Sequence, residues 1–224
     1  MNVCVCVCFD SLESTYCLVA AAVEQLESLL LCRRFHWEGT TWVFTRKGDI
    51  TQENVDVIVV PNDERFSGTG GLSKIVCERN PSMRTELQAA ITARGSVPGM
   101  ADPVYIPTDA TENGVSARGV IHVVGPMDTT NSADEWLEKT FQNCMQKALE
   151  INASSICFPA IGTGGARISA ARCARAFFRV IRRITNAADA AQNLASITLL
   201  CNDIETLRAF SEAYSRIIEK GHTE

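Results

Sequence analysis

Strand-like and helix-like periods alternate along this chain from end to end, and that alternation leaves few folds open to it. Val55 to Val60 is a run dominated by β-branched residues, of the kind buried on both faces of a sheet. Gly119 to Val124, Ser155 to Pro159 and Ser196 to Cys201 read as further strands, and each is separated from the next by a stretch with helical spacing. Such an order predicts an α/β protein with a mostly parallel sheet covered by helices on both faces. Ligands of these sheets bind at the carboxyl ends of strands.

The remaining elements follow from the same periods. Val3 to Phe9 reads as a strand, and Leu12 to Arg34 as a helix with apolar positions at Tyr16, Val19, Ala20, Val23, Leu26, Leu29 and Leu30. Residues 1–40 are therefore expected to form a strand–helix extension to a main domain of residues 41–224. Within that domain Trp42 to Thr45 is a short strand. Gly71 to Asn80 is a helix halted by Asn80-Pro81, and Met83 to Arg94 a helix ended by Gly95. Ser96 to Asn113 reads as a surface loop around a short strand at Val104 to Ile106. Further helices are expected at Asp134 to Glu150, at Ser169 to Thr185 with Ser169 as N-cap, and at Ile204 to Lys220.

Two glycine-rich turns, Gly68-Thr69-Gly70-Gly71 and Gly162-Thr163-Gly164-Gly165, each follow a strand and each open a helix. Glycine lets backbone N–H groups converge with no side chain in the way, and a helix N-terminus behind them adds partial positive charge. One such turn suits a phosphate. Two suit a diphosphate.

Composition removes several alternatives. The chain has 224 residues and a net charge of −5, so overall electrostatics does not favour nucleic acid, and an anionic ligand must be held by local geometry. No apolar run reaches the roughly 18 residues that span a bilayer, and the first residues lack the basic region of a secretion signal. A cytoplasmic or nuclear setting, with no membrane attachment, is expected. Ten cysteines occur without C-x-x-C pairs or nearby histidines; Cys4, Cys6 and Cys8 share one face of the first strand. Reduced, mostly buried thiols and no metal are the expectation.

Five segments, in this order and spacing, resemble the macrodomain family. They are Gly48-Asp49-Ile50-Thr51, Val55-Asp56-Val57-Ile58-Val59, Gly70-Gly71-Leu72, Ile121-His122-Val123-Val124-Gly125-Pro126, and Phe158-Pro159-Ala160-Ile161-Gly162-Thr163-Gly164. The likeness runs roughly from Thr41 to Lys220, and around Asn143-Cys144 and the second turn it is closest to macrodomains of large poly(ADP-ribose) polymerase relatives. It implies a three-layer α/β/α sandwich with a mixed, mostly parallel central sheet. It also implies ADP-ribose as ligand, free or attached to protein, with no cofactor.

Carried over position by position, the resemblance assigns Asp49 to the adenine amino group, with the Ile50 backbone beside it. An ionised carboxylate only accepts hydrogen bonds, so it can select that amine over the carbonyl of guanine. The alternative for Asp49 is a turn cap after Gly48. Gly70, Gly71 and Leu72 match the first diphosphate loop, and Gly162, Thr163, Gly164 and Gly165 the second.

Several positions depart from the family pattern. Where many members carry Asn-x-x-Asn beside the distal ribose, this chain has Val60-Pro61-Asn62-Asp63, so either Asn62 or Asp63 faces the sugar. Ser73 stands where one class of family hydrolases has an aspartate. Ala166 replaces an aromatic residue of the second loop, Arg167 its closing glycine, and Asn202 an aromatic residue near adenine. Asp63 at about 8 Å from a diphosphate would repel it by roughly 2 kcal/mol per unit charge, and Arg167 is suited to oppose that by bridging carboxylate and phosphate.

A module that binds ADP-ribose, on mono- or poly-ADP-ribosylated proteins or in solution, is therefore favoured, as a monomeric domain that is not an enzyme. The alternatives are an ADP-ribosyl hydrolase, with Asp63 as general base, and a degenerate scaffold for protein or polymer contacts. His122 reads as a core histidine, and Cys144 and Cys157 as structural thiols. Arg172, Arg175, Arg179, Arg182 and Arg183 form one face of an amphipathic helix, read either as a solvated face or as a docking strip for a polyanion, poly(ADP-ribose) or nucleic acid.

Overall fold

The computed structural model of the protein describes residues 12–37, 41–108, 114–185 and 194–219. The expected strand Val3 to Phe9, with Cys4, Cys6 and Cys8, lies outside the described residues. In chain order the elements are α1 (Leu12–Leu31), β1 (Arg33–Trp37), β2 (Thr41–Lys47), β3 (Val57–Asn62), α2 (Gly71–Arg79), α3 (Met83–Arg94), β4 (Val104–Pro107), β5 (Gly119–Val124), α4 (Ala133–Glu150), β6 (Ser155–Pro159), α5 (Ala170–Thr185), β7 (Ser196–Cys201) and α6 (Ile204–Tyr214). A 3-10 turn at Ile50–Gln52 follows β2, and a π-helical turn at Ser215–Glu219 continues α6.

The strands form one sheet in the order β1-β2-β7-β6-β3-β5-β4. Its five inner strands are parallel, and the two edge strands β1 and β4 are antiparallel to their neighbours. Alternation along each inner strand divides the core in two. Val57, Val59, Ile121, Val123, Ile156, Phe158, Ile197 and Leu199 face α4, α5 and α6. Ile58, Val60, Val120, Val124, Cys157 and Leu200 face α2 and α3. Both sides of the sheet are thus covered by helices, which gives the three layers. In the larger core Phe141, Phe158, Phe177, Phe178 and Phe210 meet edge to face or tilted, with centroids 5.2–6.2 Å apart.

The first helix is shorter than its period suggests. It stops at Leu31, and Arg33 and Arg34, expected in the helix, open β1 instead. The Arg33 guanidinium donates to the Leu30 and Cys32 carbonyls (2.9 and 3.1 Å) at the helix end, and Arg34 lies 4.2 Å from the Trp42 ring across the hairpin. A cross-strand partner eight residues away is invisible to a helical period. Equally unexpected is which face of α1 docks. Glu24 pairs with Lys47 and Glu27 with Arg208, whereas Val23, Leu26, Leu29 and Leu30 are 57–77% exposed.

Candidate functional site

Because β2, β7, β6, β3 and β5 are parallel neighbours, the turns that leave their carboxyl ends line one edge of the sheet. Asp49 and Ile50 follow β2, Asn202 follows β7, and the two glycine turns follow the adjacent strands β6 and β3. All the site residues read from the sequence therefore share this edge. Asp56 lies at the opposite end, where its carboxylate accepts from Ser154 and Ser155 and ties β3 to β6.

Within the glycine turns the structure separates two kinds of glycine. A Cβ at Gly68 would lie 2.7 Å from Cys77 Sγ, and one at Gly162 would lie 2.8 Å from Ile168 Cδ1; both residues also have positive φ. The fold itself requires these two. A Cβ at Gly70, Gly164 or Gly165 would meet nothing within 4 Å, and none of the three has a left-handed φ. Neither packing nor backbone conformation requires a glycine at these three positions. Gly71, at φ +52 and equally open, begins α2 behind its N-cap Gly70.

The first turn is organised by Asp63. Its Oδ1 accepts from the N–H groups of Arg65 (2.8 Å) and Ser67 (3.1 Å), and its Oδ2 accepts from the Ser67 hydroxyl. Burial alone would raise the pKa of this carboxyl, but these hydrogen bonds and the Arg65 charge outweigh it and hold it below the usual value. The carboxylate is engaged within its own loop. Arg167, at φ +60 in the second turn, is exposed and has no side-chain partner among the described residues. Ser73 is buried and donates to the Gly70 carbonyl at 2.7 Å, so it braces the turn from below. Leu72 packs partly on the smaller core.

The second turn is braced by Thr163, whose hydroxyl donates to the Ala160 carbonyl (2.8 Å), and by Arg167 N–H to Gly164 and Ile168 N–H to Gly162 (both 2.9 Å). Asp128 N–H donates to the Ala166 carbonyl at 2.8 Å, and Asp128 in turn pairs with Arg172. Gly164, Gly165 and Asn202 are exposed, and Ala166 half-buried.

Asn62 turns inward. Its amide donates to the Val60 carbonyl and to His122 Nδ1, both at 2.9 Å, and its Oδ1 is buried without a partner. His122 is fully buried, with Nε2 3.2 Å from Met83 Sδ. Burial pushes its pKa down to about 3, so the ring is neutral. The sequence identifies His122 as core but gives no sign of its bond to Asn62.

Asp49 is half exposed and does cap a turn: its Oδ1 accepts from Thr51 N–H (3.0 Å) and Thr51 hydroxyl (2.7 Å) at the start of the 3-10 turn. Its Oδ2 accepts from Arg79 at 3.0 Å. Burial would raise its pKa, but the Thr51 bonds and the Arg79 charge win and lower it. Arg79 escapes a sequence reading because a basic residue in the last turn of a helix already has a use there. Ile50 is buried, leaving only its backbone for a ligand.

Elsewhere, the arginine face of α5 is largely committed. Arg172 pairs with Asp128 and Asp134, and Arg179 and Arg183 pair with Glu138 of α4. Cys32, Cys77, Cys144, Cys157, Cys173 and Cys201 are free thiols. Cys77, Cys144, Cys157, Cys173 and Cys201 are buried, and burial raises all five, Cys201 to about 12. Among the described residues no cluster of three metal-ligating side chains occurs, and no helix is long and apolar enough to cross a membrane.

The sheet order and the layers define an α/β/α protein with two glycine turns on one edge of its sheet. The chain belongs to the Macro domain family, whose sequence pattern it matches over residues 59–177, just over half its length. It is 33% identical over 178 residues to an uncharacterized protein of Thermotoga maritima; that match covers 75% of this chain but only 28% of the longer relative. An O-acetyl-ADP-ribose deacetylase of Escherichia fergusonii is 32% identical over 121 residues, 53% of this chain and 66% of the enzyme. The solved macrodomain of Oceanobacillus iheyensis with ADP superposes with a TM-score of 0.75 at 20% identity, over 84% of this chain and 97% of that one.

Proposed function

We propose that this chain is a binding module for ADP-ribose, free or carried on modified proteins. The observation that carries the reading is the set of glycines, Gly70, Gly164 and Gly165, that the fold does not need and that bare two turns on adjacent parallel strands. Backbone amides in such turns can surround a diphosphate without any side-chain cation. Asp49 stands after β2, two strands from β6, and would accept from the adenine amino group there. The ADP held by the Oceanobacillus macrodomain and the ADP-ribose compound in the name of the Escherichia enzyme agree in ligand class. Affinity in the micromolar range is expected, since Ala166 and Asn202 each forgo an aromatic contact worth about 1 kcal/mol.

Hydrolysis is the second reading, favoured by the deacetylase relative. The chain's own groups fit it less well. Ser73 cannot act as a base and is spent on Gly70, and the Asp63 carboxylate is held by Ser67 and Arg65 rather than left to activate water. Poly(ADP-ribose) along α5 is disfavoured by the Glu138, Asp128 and Asp134 pairs, which neutralise much of the arginine face.

Calorimetric titration with ADP-ribose, with AMP as comparison, tests the module. Binding of ADP-ribose well above that of AMP is expected, and equal or absent binding overturns it. Release of ADP-ribose from an automodified substrate, abolished by Asp63→Ala, would establish the hydrolase instead.

A further inference from the structure

Arg79 is the last residue of α2, the helix whose first turn carries Gly70 and Gly71, yet its guanidinium ends at the turn after β2. One arm donates to Asp49 Oδ2 at 3.0 Å and the other to the Thr51 hydroxyl. That hydroxyl donates its own proton to Asp49 Oδ1 at 2.7 Å, closing a ring of three side chains. The ring is anchored. Thr51 is fully buried, and its carbonyl accepts from Ser116 N–H at 2.9 Å. Gly114, at φ +57, passes so near that a Cβ there would lie 3.1 Å from the Arg79 carbonyl oxygen.

We propose that Arg79 is a positioning residue that sets purine-base selectivity at this site, by clamping the Asp49 carboxylate so that one acceptor direction remains for an amino group of the base. The inference rests on the adenine role given to Asp49 under Proposed function. A carboxylate offers about four acceptor positions. Thr51 N–H, the Thr51 hydroxyl and Arg79 take three of them. The remaining one, fixed in direction, accepts a donor and rejects a carbonyl oxygen, which would meet the negative charge. A carboxylate without the clamp could rotate and spread its acceptors, losing direction though not charge. The two-armed contact needs a planar fork, and a lysine ammonium cannot serve Asp49 and Thr51 in the same way.

The test compares ADP-ribose with its hypoxanthine counterpart, in which the amino group is replaced by a carbonyl, by calorimetry on the wild-type chain and on Arg79→Ala, Arg79→Lys and Asp49→Asn. The wild type is expected to prefer adenine by about tenfold or more, as loss of one charged hydrogen bond would give. In Arg79→Ala the preference falls at least about threefold but not to unity, because the carboxylate keeps its charge, and Arg79→Lys lies between the two, because lysine supplies a cation but not the fork. Affinity for the hypoxanthine ligand serves as the internal control, since damage to the fold would lower it together with that for ADP-ribose. An arginine with a merely structural role would leave the ratio of the two ligands unchanged. If both Arg79 variants keep the wild-type ratio while Asp49→Asn loses it, the inference about Arg79 falls and the base reading stands. If the wild type shows no preference, the base reading falls and takes the inference with it.

Discussion

His122 Nδ1 accepts a hydrogen bond from the Asn62 side-chain amide across 2.9 Å, beneath the ends of the paired strands β3 and β5. An amide nitrogen can only donate, so the ring proton sits on Nε2, facing Met83 Sδ at 3.2 Å. The tautomer is fixed from both sides, and nothing in this arrangement accepts a second proton.

That neutrality predicts a pH dependence of stability. The folded His122 has a pKa of about 3, below the ordinary histidine value near 6.5. Between those limits the unfolded chain binds a proton that the folded chain refuses. The contribution is fully present above about pH 6.5 and is lost as pH falls towards 3, with a slope of at most about 1.4 kcal/mol per pH unit. Denaturant unfolding of wild type and His122→Phe between pH 7 and pH 4.5 checks it: the wild-type curve should slope more steeply by up to that amount. Parallel curves would contradict a buried neutral imidazole.

The two kinds of glycine predict opposite outcomes. Gly162→Ala forces a left-handed alanine against Ile168 and should cost at least about 1 kcal/mol of stability. Gly164→Ala meets open space in an ordinary backbone conformation and should change stability by less than about 0.5 kcal/mol. Its methyl group would nevertheless stand where the diphosphate is proposed to lie. A drop of about tenfold or more in ADP-ribose affinity, with melting temperature unchanged, is the expected result. Undiminished affinity in Gly164→Ala would remove the second turn from the site.

Much of this architecture is legible in the sequence because the β-branched runs and helical periods are strong and local. Strands β5, β6 and β7 and helix α3 fall where their patterns place them. The glycine turns are legible too, as is the shared edge, since parallel strands must end on the same side. What is not legible depends on partners distant in sequence. Arg33 and Arg34 look like the end of a helix until β2 supplies Trp42. Asn62 and Asp63 look like alternatives for one ribose contact, yet the structure ties Asn62 inward to His122 and Asp63 to its own loop. Arg79 carries no mark of its tie to Asp49, thirty residues earlier.

Asp56 joins β3 to β6 at the end of the sheet away from the glycine turns, and its loss should separate stability from the proposed binding. Its carboxylate accepts from the N–H and hydroxyl groups of Ser154 and Ser155. Burial would raise its pKa, but those hydrogen bonds prevail and lower it. Asp56→Ala leaves the partly buried donors of Ser155 without an acceptor, while those of exposed Ser154 turn to water, at a cost of about 1–2 kcal/mol. The stabilisation is present above the unfolded pKa near 4 and is lost as pH falls through the lower folded value, so the difference between wild type and variant should shrink in acid. Urea unfolding at pH 7 and pH 3, with ADP-ribose titration at pH 7, checks this. Affinity should stay within about twofold, since no diphosphate turn is touched.

The outward apolar face of α1 leads to a different prediction. Helical leucines usually hold a helix to its protein, so replacing two of them by glutamine would ordinarily cost several kcal/mol. Here Leu26 and Leu30 are 62% and 77% exposed, while α1 is tied to the body by Glu24 to Lys47 and Glu27 to Arg208. Leu26→Gln with Leu30→Gln should therefore lower the melting temperature by no more than about 4 °C, given that exposed substitutions stay within about 0.5 kcal/mol each. The two ion pairs are partly solvated, and Glu24→Gln with Glu27→Gln should cost about 1 kcal/mol or less. Thermal melts of the two double variants at one protein concentration decide the matter. A loss of 5 °C or more from the leucine pair would mean that those side chains are covered in solution, and that α1 rests on its apolar face rather than on its acids.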